Sequence, residues 1–134
     1  MAVNTKTEYA LRILIELADK GKMSAQRICD SQRLPKKYIE HLLSMLKAAK
    51  IVHSRAGSLG GYFLSRKAEN ISLADILAAV EDGTFDTACE SESSRHCIGE
   101  GCRLTMFFLE LNERLHQVFQ SYSLADIVKI YNKG

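Results

Sequence analysis

The chain has 134 residues, 46% of them hydrophobic and 25% charged, the size and balance of one globular domain with a real core. That balance excludes disorder and collagen-like repeats, and no window approaches the roughly 18 uncharged apolar residues a membrane-spanning helix needs. Lys6, Glu8, Arg12 and Glu16 also interrupt the apolar N-terminal stretch that a secretory segment requires. The expected compartment is the cytoplasm, where four cysteines point to metal binding, redox chemistry or burial before a disulfide framework. The net charge of +2 hides a division: residues 1–70 hold 13 Lys/Arg against 6 Asp/Glu, and residues 71–134 hold 5 against 10. A basic half suits a polyanionic partner, and an acidic half suits oligomerisation or sensing.

In chain order, Thr5 to about Lys20 reads as an amphipathic helix. Tyr9, Leu11, Ile13, Leu14 and Leu17 form its apolar face, Thr5 with Glu8 matches a capping box, and Gly21 ends it. Ser24 is the expected N-cap of a short helix reaching about Ser31, in which Cys29 reads as a small core residue. After a tight turn at Gln32 to Leu34, Pro35 fixes the first turn of a third helix that ends near Ala49. Two helices around a tight turn predict a helix-turn-helix. In the third helix Ile39, Leu42, Leu43 and Leu46 face inward, leaving Lys36, Lys37, Glu40, His41, Ser44 and Lys47 for the outer face.

Ile51 to Ala56 and Tyr62 to Ser65 read as strands joined by a glycine-rich turn, Gly57 to Gly61, and so predict the wing of a winged helix. Arg55, Arg66 and Lys67 stand at its two bases, within reach of flanking phosphates. Ser72 with Asp75 and Ser123 with Asp126 are capping boxes, predicting helices over about Leu73 to Glu81 and Leu124 to Asn132. Between them Leu104, Phe108, Leu111, Leu115, Val118 and Tyr122 follow helical spacing for about five turns. Met106, Phe107, Leu109 and Phe119 fall outside that stripe, so the helix needs a second partner surface, and a homodimer through helix 102–121 is expected.

From Asp82 to Gly101 the periodicity stops. This stretch leads through Cys89, seven residues, Cys97 and four more to Cys102, at the start of the long helix. Structural zinc sites use close pairs and a fourth local ligand, and only the second gap is short. Thiolates spaced widely on a loop suit an iron–sulfur cluster better, with the fourth position filled by His96, a carboxylate or a residue of another subunit. Cys97 beside His96 lacks an orienting third group, so nucleophilic catalysis is not expected. A metal-free thiol switch is the rival, although five acids in the stretch (Asp82, Asp86, Glu90, Glu92 and Glu100) should raise thiol pKa values.

Several of these features together resemble the Rrf family of bacterial winged-helix regulators, which includes the IscR, NsrR and CymR types. They are Thr7-Glu8-Tyr9-Ala10-Leu11-Arg12, Tyr38-Ile39-Glu40, Gly60-Gly61-Tyr62, the three clustered cysteines and the Tyr-Ser-Leu-Ala-Asp segment from Tyr122. The resemblance spans nearly the whole chain. It implies a homodimer on an inverted-repeat operator in double-stranded DNA, with the long helices crossing at the interface and a 2Fe-2S or 4Fe-4S cluster tied to DNA affinity. The family's cysteine gaps are commonly nearer five and five. IscR-like members take a histidine three residues after the last cysteine, where this chain has Thr105; NsrR-like members use a carboxylate from the partner's N-terminal region, and the matching position is Glu8. Members also place Arg directly before the first turn glycine, where this chain has Ala56 preceded by Arg55.

The expected architecture is mainly α with a small β-hairpin wing: a winged helix-turn-helix over 1–81, a cysteine-bearing sensor loop over 82–101, and the dimerisation and C-terminal helices over 102–134. Lys36, Lys37, Glu40, His41 and Ser44 are assigned to the major groove, where Glu40 can accept from cytosine N4, and Arg55, Arg66 and Lys67 to phosphate. Cys89, Cys97, Cys102 and Glu8 are assigned to the cluster of a non-enzymatic transcriptional regulator. The alternatives are a metal-free regulator controlled by thiol oxidation or a partner protein, as in CymR-like members, and a protein-binding adaptor.

Overall fold

The computed structural model describes residues 4–83 and 102–134. Helix α1 (Thr5–Lys20) is capped by Asn4, whose side chain accepts from Lys6 N–H at 2.8 Å. The expected Thr5–Glu8 capping box is therefore displaced by one residue: a preceding Asn already supplies the cap, and Glu8 is left in the first turn. Gly21, at φ 74°, ends the helix in a conformation that disfavours any residue with a Cβ. Ser24 caps α2 (Ala25–Gln32), which stops at Arg33 in the left-handed conformation, and Pro35 leads into α3 (Lys36–Ala48). The turn between α2 and α3 is thus short and sterically defined, and it fixes the angle at which α3 leaves the domain.

Strands β1 (Val52–Arg55) and β2 (Gly61–Leu64) form the antiparallel hairpin, with Val52 opposite Leu64 and Arg55 opposite Gly61. Met23 and Tyr62 exchange backbone hydrogen bonds of 3.0 and 2.7 Å, which fasten the hairpin to the segment before α2. A single 3-10 turn over Ala68–Asn70 precedes α4 (Leu73–Ala79). That helix is shorter than the expected run to Glu81, because Glu81 takes a positive φ of 55°.

Helix α5 (Thr105–Ser121) starts three residues after Cys102, later than its apolar stripe predicts. Its N-cap, Leu104, makes no side-chain capping bond, so no local pattern marks the start. Helix α6 (Leu124–Lys133) then returns to pack on α1. The other two predicted capping boxes are present, at Ser72–Asp75 and at Ser123–Asp126.

One core holds these elements. Ile39, Leu42, Leu43 and Leu46 of α3 are fully buried with Ile13, Leu14, Ile28, Ile71 and Ile76, and each such side chain contributes about 1.5–3 kcal/mol by leaving water. Leu124 joins the same cluster and is also fully buried, so α6 completes the core of the N-terminal domain. Cys29 is buried there as expected. Its desolvation, followed by the nearby Asp30 charge, raises the thiol pKa, and the residue behaves as a small apolar side chain. Helix α5 is different in kind: none of its residues is buried, and Met106, Phe107 and Leu109 are 75%, 54% and 49% exposed. Among the described residues no helix is long and apolar enough to cross a membrane.

Candidate nucleic-acid interface and thiolate site

Burial of one side of α3 dictates what the other side offers. Lys36, Lys37, Glu40, His41 and Ser44 are all exposed on it. Tyr38, half-buried beside them, meets the Tyr9 ring of α1 edge-on at a centroid distance of 5.6 Å. Toward the other end of α3 the Lys47 ammonium donates to the Ser54 hydroxyl of β1 at 2.7 Å, linking this helix to the hairpin. Arg55 is exposed at the end of β1, and Lys67 is exposed beyond β2. The exposed face of α3 and the hairpin therefore carry cations and hydrogen-bonding groups on one connected part of the chain.

Arg66, expected to reach phosphate, makes three bonds within its own domain. Its Nε donates to the Asn70 carbonyl at 2.9 Å, Nη1 to the Lys50 carbonyl at 3.0 Å and Nη2 to the Asp75 carboxylate at 3.2 Å. The guanidinium is turned toward its own domain because three acceptors converge there.

Arg12 of α1 holds the end of α2, just before the turn of the helix-turn-helix. Its Nε and Nη2 reach the side-chain oxygen and the carbonyl of Gln32, both at 2.8 Å, while its guanidinium lies 5.3 Å from the centre of the Tyr9 ring. Glu16, one turn later, accepts from Ser31 at 2.5 Å and from Gln32 at 3.0 Å. Burial raises the Glu16 pKa, but hydrogen bonds from Ser31, Lys20 and Gln32 outweigh it and leave the carboxyl below its ordinary value. Helix α1 thus reaches the end of α2 through Arg12 and Glu16, and α3 through Tyr9. The spacing of Arg12 and Glu16 on one helical face was readable in the sequence; their partners were not.

Of the candidate cluster ligands, Cys102 is a half-buried free thiol and Glu8 is exposed. Cys89, Cys97, the alternative ligand His96 and the rest of 84–101 lie outside the described residues. Among the described residues Glu8 makes no side-chain hydrogen bond or ion pair, and no group of three potential metal ligands is assembled. The neighbouring Thr7 is buried, and its hydroxyl donates to the Asp82 carboxylate at 2.5 Å, so the beginning of the predicted sensor segment is bonded to α1. Glu8 and Arg12 also line a mainly apolar groove of 580 Å3 between α1 and α6, with Leu11, Ile15, Ile127 and Ile130 among its walls.

A fully buried inner face on α3, a polar outer face and a two-stranded wing define a winged-helix regulator. The family model described as "Iron-dependent Transcriptional regulator", Rrf2, matches residues 3–130. The chain belongs to the Rrf2 family of transcriptional regulators. It is similar to the HTH-type transcriptional regulator IscR of Xenorhabdus nematophila, at 29% identity over 132 residues, covering 96% of this chain and 80% of the relative. Among solved structures it is similar to T. potens IscR, with TM-score 0.74 and 26% identity over 98% of this chain and 88% of that one. It is equally close in shape to CymR, the global cysteine regulator of B. subtilis, with TM-score 0.74 and 28% identity over 97% and 98% of the two chains. These proteins are transcriptional regulators and not enzymes, in agreement with the sequence reading.

Proposed function

We propose that the protein is a homodimeric DNA-binding regulator whose operator affinity depends on an iron–sulfur cluster. Lys36, Lys37, Glu40, His41 and Ser44 face the major groove of an inverted-repeat operator, and Arg55 and Lys67 contact flanking phosphate. Cys89, Cys97 and Cys102 hold the cluster with Glu8 of the partner subunit. The observation that carries this reading is the donor set: three cysteines within fourteen residues, ending at the free thiol before α5, and a carboxylate in the first turn of α1 that no described residue engages. Soft thiolates and one oxygen ligand suit iron–sulfur chemistry, and when bound the group supplies a centre sensitive to oxidation, nitric oxide and iron supply.

The chain's own residues supply a route to DNA. Helix α1 carries Glu8 and, one turn on, Arg12, which holds Gln32, the last residue of α2 before the turn to α3. A change in the bonding of Glu8 or of the Thr7–Asp82 pair acts on α1 and, through Arg12 and Tyr9, biases the placement of α3. The exposed apolar side chains of α5 support the dimer, and the groove between α1 and α6 has the apolar character to receive them from a second copy. In this reading DNA binding belongs to 1–81, sensing to 82–101 and dimerisation to α5 within 102–134, with α6 packed into the core of the DNA-binding domain.

The likeness to CymR favours one second reading, a metal-free regulator switched by thiol oxidation or a partner protein. Protein purified without oxygen separates the two. The cluster reading predicts a dimer in sedimentation, absorption bands between about 320 and 460 nm, measurable iron and acid-labile sulfide, and loss of colour in Cys97→Ala. A colourless protein that cannot be reconstituted leaves only the metal-free regulator.

A further inference from the structure

The Ser-Leu-Ala-Asp-Ile segment occurs twice, at 72–76 and at 123–127, and the fold places the two copies against each other. Their caps form an antiparallel bridge, in which Leu73 N–H donates to the Tyr122 carbonyl at 2.8 Å and Leu124 N–H to the Ile71 carbonyl at 2.7 Å. The corner between α5 and α6 is thereby fastened to the start of α4. Each Asp closes its own capping box, but Asp75 in addition receives Arg66. Arg66 in turn holds the carbonyl of Lys50, which follows the C-cap of α3 and has a positive φ of 61°. The Ser65 hydroxyl donates to that same carbonyl at 2.5 Å. One guanidinium therefore joins the end of α3, the base of the wing and the start of α4, which itself is tied to α6.

We infer that Arg66 is a positioning residue for DNA recognition: it sets the angle at which α3 and the wing are carried on the α4–α6 base, and it does not bind phosphate. The inference rests on the proposed DNA-binding role of α3. A planar fork serves three acceptors that a lysine could not serve together. The Arg66 and Asp75 side chains are 36% and 44% exposed, so their ion pair adds little to stability. Its effect lies in preorganisation, because a wing and helix already at the right angle lose less freedom on meeting DNA.

The test uses the full chain and a duplex enriched by the wild-type protein from a random pool, with affinity measured across a salt series for Arg66→Gln and Asp75→Asn. Asparagine keeps an oxygen for the Ser72 cap but loses the charge that holds Arg66. The positioning role predicts that both variants bind at least about fivefold more weakly, keep the wild-type log–log salt slope, and do not add when combined. A phosphate contact predicts the opposite: Asp75→Asn frees the guanidinium and tightens binding, and Arg66→Gln lowers the slope by about 0.9. Either of those results, or unchanged affinity in both variants, overturns the inference. Failure of the wild type to enrich any duplex overturns the DNA-binding reading itself, and the inference with it.

Discussion

Asp75 and Asp126 occupy the same position in identical pentapeptides, and both carboxyls lie below their ordinary pKa. For Asp126 the cause is hydrogen bonding from the Ser123 backbone and hydroxyl. For Asp75 burial pushes the pKa up, but the Ser72 bonds and Arg66 outweigh it. A depressed carboxyl contributes stability that is fully present above the unfolded-state value, about 3.9 for Asp, and that is lost as pH falls through the lower folded value. Thermal melts should therefore show Asp126→Asn less stable than wild type near neutrality, with the difference shrinking below about pH 4; a difference independent of pH would contradict the charge-based cap. These caps were legible in the sequence because their partners lie three residues apart. Arg66 was not, since two of its acceptors, Lys50 and Asp75, are sixteen and nine residues away, and neither was Thr7, whose partner is 75 residues distant. Glu8 was half legible: its place in the first turn of α1 held, but Asn4 had already taken the cap that Thr5 was expected to provide.

At the scale of elements, periodicity found α3 because its inner face is committed to the core, and the glycine-rich turn between two short strands marked the wing. The hairpin turn rests on Gly60, where an added Cβ would stand 2.0 Å from the Arg55 carbonyl oxygen. Backbone cannot yield there without opening the turn. Gly60→Ala is expected to weaken operator binding about tenfold, or ~1.4 kcal/mol, with little change in melting temperature, because the core residues beneath the hairpin are untouched. Fluorescence anisotropy beside a thermal melt checks this, and unchanged affinity would remove the wing from the interface. Helix α5 was legible in type and in its surplus of apolar residues, whereas its start was not, since neither a capping side chain nor a turn residue marks Leu104. The return of α6 into the N-terminal core was illegible for another reason. Its apolar face reads the same whichever surface covers it, and only the fold shows Leu124 packed among Ile13, Ile71 and Ile76.

Over the whole molecule, the basic first half carries the exposed face of α3 and the hairpin, and the acidic second half carries three of the four cysteines and the exposed apolar side chains of α5. In the proposed mechanism helix α1 joins the two functions, with Glu8 and Thr7 at one end of its influence and the end of α2 before α3 at the other. Coupling of this kind needs only a modest energy difference, about 1.4 kcal/mol for a tenfold change in affinity. The most direct test is operator affinity at fixed salt for protein loaded with its cluster, the same protein after the cluster is removed, and Cys97→Ala. The account predicts that the loaded and cleared forms differ at least about tenfold and that Cys97→Ala matches the cleared form whatever treatment it receives. Identical affinity in all three, with the dimer intact, would contradict it.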